Sequence, residues 1–290
     1  MEGINIIKLE DILLATCPLN DEQKIMEKHF RESAAYRTDE HIKKYINLPT
    51  SFNGRYINSD LFKETFDEYT KSFEARIIYS PVVHCSAACL ANEFFKIKIQ
   101  DPKMQKCIIV TGIPGAGKSF TIQSLFKEKD LDKDTIVYEG SIIDLPTIKE
   151  KLSLLIKNDK EIYILVLHPT LELSLKNTIR RFEDSGRGAS TSILARIRSD
   201  IYKSLIDLHK IYKDRINLII HEKKDNFNDP TEYYGFENIA ILKDKPYNDV
   251  KEYLDNIIEN MYEKGEIDGK CYYQATRKTD QLKGTIEKNN

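Results

Sequence analysis

The stretch VTGIPGAGKSF, residues 110–120, decides how the rest of the chain is interpreted. It contains the spacing G-x-x-x-x-G-K-S, directly after the apolar run CIIV and directly before the amphipathic run FTIQSLF. This order predicts a strand, a glycine-rich turn and a helix, which is the arrangement of a phosphate-binding loop. Glycines allow backbone N–H groups to turn inward at the start of the helix, where the helix dipole adds positive potential.

The residues of this loop have distinct predicted roles. We expect Lys118 to reach the outer phosphates of a nucleotide and Ser119 to hold Mg²⁺. ATP and Mg²⁺ are therefore the predicted cofactors. The predicted nucleotide-binding residues are Gly112, Gly115, Ala116, Gly117, Lys118, Ser119 and Phe120.

Composition narrows the class of protein. The 290 residues include 44 Lys and Arg against 46 Asp and Glu, a formal charge of -2, so no basic surface for nucleic acid is expected. No run reaches 18 apolar residues, and the start of the chain carries acids where a signal peptide would carry bases. Five cysteines without C-x-x-C spacing argue for a reducing compartment and against zinc. We therefore expect a cytoplasmic protein with no membrane or nucleic-acid partner.

Strand-like and helix-like segments alternate along the chain, which predicts an α/β fold with a parallel sheet flanked by helices. Asn20 and Thr38 are the predicted N-caps of two early helices. A short strand is expected in RYINSDLF, and a helix of small residues from about Val83 to Ile97. Later strands are predicted in DTIVYEGS, EIYILVLHP and RINLIIHE, with a last short one near ENIAILK.

Three parts are predicted along the chain. Residues 1–50 form an N-terminal helical extension, residues 51–245 a P-loop kinase core, and residues 246–290 a C-terminal helix with a frayed polar tail. The helix after the phosphate loop is expected to run to about Lys129. In a parallel sheet of this kind, ligands lie at the carboxyl ends of the strands.

A phosphate loop does not define the reaction, because motors, switches and kinases differ in where their acids lie. A motor ATPase normally has an apolar strand that ends in Asp, whereas YILVLHP ends in His168 and Pro169. A GTPase needs an N-K-x-D guanine reader, and the nearest match, residues 277–280, begins with Arg in the polar tail. Both classes are disfavoured.

Two acids do follow short predicted strands, namely Asp60 and Glu139. Carboxylates at the carboxyl edge of the sheet suit a small-molecule kinase. One would take the proton of an acceptor hydroxyl, and the other would position the acceptor or a metal-bound water. The alternative for Asp60 is a helix cap, a role that Ser59 could also fill.

Arginines crowd one region of the chain. Arg187 lies between two glycines in SGRGAST, where a guanidinium can neutralise charge on a transferring phosphoryl group. Arg181 is the next candidate. The alternative is a charged helix face, because Arg180 and Asp184 are spaced i, i+4. Arg196 and Arg198 complete the group.

Several of these motifs together resemble one family. The run from YILVLHP through LKNTIRRFEDSGRGAST to LIDLHKIYKDRINLIIHEKKD resembles the second half of the zeta toxins, which are bacterial P-loop kinases. IVYEGS resembles that family's strand ending in Glu-Gly-Thr, and YINSDLFKETFDEY its strand ending in the general-base Asp. VVHCSAACLANEFF is similar to the next helix of the family, where a Glu contacts the sugar substrate. The resemblance covers about residues 54–245.

The resemblance implies a reaction and a set of site residues. The γ-phosphoryl of ATP would pass to a sugar hydroxyl of a UDP-amino sugar such as UDP-N-acetylglucosamine. The protein would then be a growth-inhibiting toxin with an antitoxin as its partner. The implied catalytic residues are Asp60, Lys118, Arg187 and Arg181, and the implied substrate-binding residues are Glu93, Glu139 and Ser141.

The chain departs from the family in two ways. Asp60 precedes the phosphate loop here, whereas the family has the opposite order, so the sequence looks circularly rearranged. Parallel strands joined by right-handed crossovers tolerate more than one order. The family's Glu-Gly-Thr is closely followed by an Arg, whereas Ser141 is followed by Ile142, Ile143 and Asp144.

The second departure leaves the acceptor open. A nucleoside, nucleotide or antibiotic kinase on the same scaffold is one alternative. A nucleotide-dependent switch or assembly protein, whose N-terminal helices bind a partner, is another. Multiple-turnover transfer to a small molecule would distinguish the kinases from the switch.

Overall fold

Six strands form one mixed, mostly parallel sheet with helices on its flanks in the computed structural model, which describes residues 7–127, 131–225 and 229–276. The predicted α/β class is confirmed. The strands are β1 (Tyr56–Ile57), β2 (Lys106–Gly112), β3 (Thr135–Glu139), β4 (Glu161–Pro169), β5 (Asn217–Lys223) and β6 (Thr231–Tyr234). Their order across the sheet is β1-β3-β2-β4-β5-β6.

Eleven α-helices lie in the described ranges. They are α1 (Asp21–Tyr36), α2 (Thr38–Ile46), α3 (Ser59–Phe62), α4 (Asp67–Thr70), α5 (Phe73–Gln100), α6 (Lys118–Lys127), α7 (Leu145–Lys157), α8 (Leu171–Ser185), α9 (Thr191–Tyr212), α10 (Tyr247–Glu263) and α11 (Gly269–Thr276). None of these helices is both long enough and apolar enough to cross a membrane.

The two predicted caps have different outcomes. Asn20 caps α1 as predicted, because its side chain accepts from the N–H of Gln23 while the Gln23 side chain accepts from the N–H of Asn20. This reciprocal pair satisfies two donors at the helix start. The prediction for Thr38 is wrong. Thr38 is the first residue of α2, and its hydroxyl donates back to Ala34 O at 2.7 Å.

The region from residue 56 to residue 100 differs from its prediction in two ways. The first strand is only Tyr56–Ile57, and α3 follows at once with Asn58 as its N-cap. Neither Ser59 nor Asp60 is therefore the cap. The next long helix, α5, begins at Phe73 rather than near Val83 and includes Pro81. Burial of its apolar residues against other helices outweighs the helix-breaking tendency of proline.

The end of the sheet is also corrected. The segment ENIAILK was predicted as a strand, but Phe236–Leu242 is a 3-10 helix. The last strand is β6, which precedes it and pairs antiparallel with β5, so the sheet is not purely parallel. Gly235, at φ 86°, separates the two segments.

The C-terminal prediction is corrected in part, because residues 269–276 form α11 where a frayed tail was expected. The rest of that tail, residues 277–290, lies outside the described residues. The predicted end of the helix after residue 118, near Lys129, also lies outside them.

The chain divides into two compact units. The first contains residues up to 110, 119–140 and 150–163, and the second contains residues 111–118, 141–149 and 164 onward. Aromatic residues fill the core of the first unit: Tyr45 of α2 stacks on Phe62 at 3.7 Å between ring centroids and meets Phe94 of α5 at 5.6 Å. The segment predicted as an extension, 1–50, thus contributes to this core.

Four helices build the core of the second unit. Apolar faces of α8, α9, α10 and α11 pack together there. Its buried residues include Leu175, Ile179, Leu194, Leu254, Ile258 and Cys271. These helices position the segments of the candidate site that belong to the second unit.

Candidate functional site

The glycine loop, defined as residues 112–119, connects β2 to α6. Three of its residues have positive φ values that favour glycine: Gly112 at 142°, Gly115 at 78° and Gly117 at 86°. The turn therefore requires glycine at all three positions where the sequence has it.

Two of the three glycines are also fixed by packing within the second unit. A Cβ atom on Gly112 would lie 2.5 Å from Leu167 O, and one on Gly115 would lie 2.2 Å from Ser174 O. Asn177 of α8 donates from Nδ2 to Gly115 O at 2.9 Å. The end of β4 and the first turns of α8 thus brace the loop from one side.

Gly117 is different, because a Cβ atom there would meet no atom within 4 Å. Its positive φ, and not packing, requires a glycine here, and the space beside it is open. The ammonium of Lys118 donates to Gly112 O at 3.1 Å and Ile113 O at 3.2 Å, so a positive charge lies at the loop. Open space beside a cation at a helix start fits the phosphates of a nucleotide.

Ser119 is an exposed residue on the first turn of α6. In the described parts of the chain, no group of three or more His, Cys, Asp or Glu residues is arranged to hold a metal ion. A divalent cation at the glycine loop would therefore share its coordination between Ser119 and oxygens of a bound nucleotide. The donor set fits Mg²⁺, which prefers oxygen ligands and phosphates.

In the first unit, a buried tyrosine holds two polar side chains together. Tyr56, 5% exposed, donates its hydroxyl to Glu139 Oε2 and accepts from Asn58 Nδ2 at 3.0 Å. We call Tyr56, Asn58 and Glu139 the Tyr56 cluster. Burial and the adjacent Glu139 raise the pKa of Tyr56, so its phenol remains protonated and keeps its donor.

Strand register explains why this cluster forms. β1 pairs parallel with β3, with Tyr56 opposite Val137, and β3 pairs parallel with β2, with Val110 opposite Glu139. Residues two apart on a strand share a face, so the Tyr56 phenol can reach Glu139. The strand before Asp60 therefore runs parallel to the CIIV strand, with β3 lying between the two.

Asp60 lies in the first turn of α3, just beyond the carboxyl end of β1. Its Oδ1 is 2.9 Å from Nζ of Lys63, which is 5% exposed and also donates to Ser80 Oγ of α5 at 3.4 Å. The Asp60 side chain is 40% exposed. The carboxylate thus remains accessible while one cation orients it.

Glu93 is buried on α5, with Lys96 Nζ 3.9 Å from its carboxylate. The neighbouring Phe95 packs edge-to-face on Tyr138 of β3 at 5.1 Å, which sets this turn of α5 at the level of the end of β3. At 1.5 Å per residue, Glu93 lies about 20 Å along the helix axis from Ser80. The structure therefore does not join Glu93 and Asp60 in one cluster.

The segment with Arg187 belongs to the second unit. Gly186 ends α8 in the left-handed conformation and donates to Phe182 O at 2.7 Å. A Cβ atom on Gly188 would lie 2.4 Å from Gln274 Oε1 of α11. Arg187 is thus presented between two glycines whose backbone positions are defined by neighbouring helices.

The other arginines separate into surface and structural residues. Arg181 is exposed on α8, and the predicted pair between Arg180 and Asp184 is present at 3.6 Å. Arg198 is structural: it pairs with Asp244 and donates to Pro169 O at 2.8 Å.

Arg198 also fixes the residue that ends β4 in place of an acid. Its Nη1 lies 3.1 Å from Nδ1 of His168. Burial, and next the Arg198 charge, lower the pKa of His168 to about 3, so the side chain is neutral. The end of β4 therefore offers no negative charge.

A cleft of about 630 Å³ opens in the second unit beside Ser141. Its polar residues are Ser141, Asp144 and Arg196, and the rest of its wall is apolar. The apolar lining consists of Ile143, Leu145, Pro146, Ile193 and Ile197. A ligand with both an apolar ring and a charged group matches this lining.

Sequence reasoning missed Tyr56 and most of this cleft. The residues after Ser141 were visible as a departure from the family pattern, but their proximity to the start of α9 was not. Tyr56 gave no signal of its own, because only the pairing of β1 with β3 brings it to Glu139.

A scan against models of known families and a search of curated proteins both found no match for the chain.

The two kinds of glycine predict different costs of substitution. Gly117→Ala should lower the free energy of unfolding by about 1–2 kcal/mol, because only the positive φ is strained. Gly115→Ala should cost on the order of 3 kcal/mol or more, because its methyl group also meets the backbone of α8. Urea unfolding followed by circular dichroism measures both. Equal costs for the two variants would contradict the packing described for Gly115.

Proposed function

We propose that the chain is an ATP-dependent kinase that phosphorylates a hydroxyl group of a small polar acceptor. The glycine loop is the observation that supports this most strongly. It combines three positive-φ glycines, open space at Gly117, and Lys118 and Ser119 on the first turn of a helix. Such a turn places backbone N–H groups and a helix dipole toward an anion.

The charged residues have separate roles in this proposal. Lys118 binds the outer phosphates, and Ser119 supplies one oxygen to Mg²⁺. Arg187 and Arg181 neutralise charge that spreads over the transferring group. Mg²⁺, held through Ser119, would reduce the negative charge of the phosphates.

The reaction is an in-line displacement. The acceptor oxygen forms a bond to the γ-phosphorus, the bond from that phosphorus to the bridging β–γ oxygen breaks, and ADP leaves. Asp60 accepts the proton of the acceptor hydroxyl. Its exposure and its orientation by Lys63 support this role. Glu93, Glu139 and Ser141 hold the acceptor.

The acceptor we propose is a UDP-amino sugar such as UDP-N-acetylglucosamine. The resemblance to zeta toxins supports this class, and so does the cleft beside Ser141. Its isoleucines suit a planar ring, and the Arg196 guanidinium suits a phosphate. Phosphorylation of such a sugar would stop wall synthesis and growth, and an antitoxin would be the protein partner.

The direct test is transfer of label from γ-labelled ATP to a panel of UDP-sugars, nucleosides, nucleotides and antibiotics. We expect a UDP-amino sugar to gain label over many turnovers in the presence of Mg²⁺. Lys118→Ala is the matched control and should lose transfer while remaining folded, because its side chain serves phosphate charge. Label on a different acceptor would replace the proposed substrate. Nucleotide-dependent association without any transfer would favour the switch and contradict the kinase.

Asp60→Asn tests the proposed base. The substitution keeps shape and removes the proton acceptor, so kcat should fall by roughly 100-fold or more with little change in ATP affinity. Thermal unfolding checks that Lys63 tolerates the loss of its partner. Asp67→Asn is the control. Asp67 also pairs with a lysine, Lys44, at 2.9 Å, but it is an exposed residue to which the proposal gives no role. Normal turnover in Asp60→Asn would exclude Asp60 as the base.

A further inference from the structure

The end of β4 presents a buried imidazole beside the glycine loop. His168 is the residue before the last of β4, and its side chain is 7% exposed. The preceding residue contacts the loop, because a Cβ atom on Gly112 would lie 2.5 Å from Leu167 O. His168 and residues 112–118 of the loop belong to the same compact unit. The end of β4 therefore lies against the first residue of the loop.

Arg198 determines which nitrogen of the His168 ring carries the proton. Its Nη1 lies 3.1 Å from Nδ1 of the ring, and a guanidinium can donate a hydrogen bond but cannot accept one. Nδ1 must therefore be the acceptor. Burial, and next the Arg198 charge, lower the pKa of His168 to about 3, so the ring is neutral and has a single N–H group. That proton is on Nε2.

The other partners of Arg198 keep this arrangement in place. Its Nε pairs with Asp244, and Nη1 also donates to Pro169 O at 2.8 Å. The guanidinium is held from two sides, and the His168 ring is held through it. The hydrogen bond at one ring nitrogen sets the state of the other nitrogen in functional histidines.

The Nε2–H group of His168 has no hydrogen-bond partner among the described residues. Within those residues, the one hydrogen bond of this side chain is that with Arg198. Nε2 is also not an enclosed atom without a partner, in contrast to Ser174 Oγ and Ser190 Oγ. It therefore reaches the surface at the carboxyl end of β4. Ligands of parallel sheets lie at such strand ends.

We infer that His168 donates a hydrogen bond from Nε2 to an oxygen of the outermost phosphate of a nucleotide at the glycine loop. Lys118 donates to Gly112 O, so its ammonium lies at the same residue that Leu167 contacts. A hydrogen bond to an anionic oxygen is stronger than one between neutral groups. This inference rests on the proposed function and adds a neutral donor beside the lysine. Arg198 is the positioning residue for that donor.

Two variants separate the donor of the His168 ring from its acceptor. His168→Asn keeps an oxygen near the place of Nδ1, which can accept from Arg198, but has no group at the place of Nε2. His168→Gln brings its amide nitrogen near the place of Nε2 and keeps a donor there. Calorimetry with Mg²⁺ measures the Kd of a non-hydrolysable ATP analogue and of ADP. Thermal unfolding checks that both variants fold.

The two variants should differ in affinity for the analogue. We expect the Kd of His168→Asn to rise at least about tenfold, the usual effect of losing a hydrogen bond to a charged group. His168→Gln should remain within about threefold of the wild type, because the donor is kept. The Kd for ADP should be unchanged in both variants, because ADP lacks the outermost phosphate.

Nuclear magnetic resonance of the ring nitrogens gives a second readout on the wild-type protein. With ¹⁵N-labelled histidine, the His168 signals should show an unprotonated Nδ1 and a protonated Nε2. They are assigned by their loss in His168→Gln. Addition of the ATP analogue should shift the Nε2 signal more than addition of ADP does. A proton on Nδ1, or an Nε2 signal that does not respond to the analogue, would overturn the inference.

The outcomes separate the inference from the function on which it rests. Wild-type affinity in His168→Asn, an equal loss in His168→Gln, or an equal loss for ADP would overturn the inference alone. Failure of the wild-type protein to bind the analogue would overturn the proposed function and the inference with it. If His168→Asn does not fold, the comparison of the Nε2 signal with the analogue and with ADP decides.

Discussion

Parallel pairing of β3 with both β1 and β2 is the constraint on which the candidate site depends. Tyr56 lies opposite Val137 and Val110 opposite Glu139, and Gly140 donates to Val110 O at 3.1 Å to extend the ladder by one bond. Because all three strands point the same way, their carboxyl ends share one edge. A slip by one residue would turn Tyr56 or Glu139 to the opposite face and separate the phenol from the carboxylate.

The ends of β3 and β4 differ in charge. The end of β4 is neutral, since His168 is buried and Arg198 is already paired with Asp244. A carboxylate ends β3 instead, where Glu139 accepts from the Tyr56 phenol.

Local signals in the sequence were sufficient for much of this arrangement. β4 follows from its unbroken apolar run, the cap at Asn20 from its residue type before a helical segment, and the glycine loop from its spacing. The residue at which α5 begins could not be predicted from the sequence. Pro81 suggests a break, but burial of the apolar residues of α5 against other helices outweighs it. β6 is short and polar, so its pairing with β5 has no local signal. The contact of Tyr56 with Glu139 joins residues 83 positions apart, and only the strand register reveals it.

The central claim is that the glycine loop binds the phosphate chain of a nucleotide, and a calorimetric comparison of ATP, ADP and AMP with Mg²⁺ tests it most directly. ATP should bind at one site and at least about tenfold more tightly than AMP. AMP has the same base and sugar but lacks the outer phosphates that Lys118 and Ser119 are proposed to hold. ADP should lie between the two. Equal affinity for ATP and AMP, or no binding of ATP by the folded protein, would contradict the account.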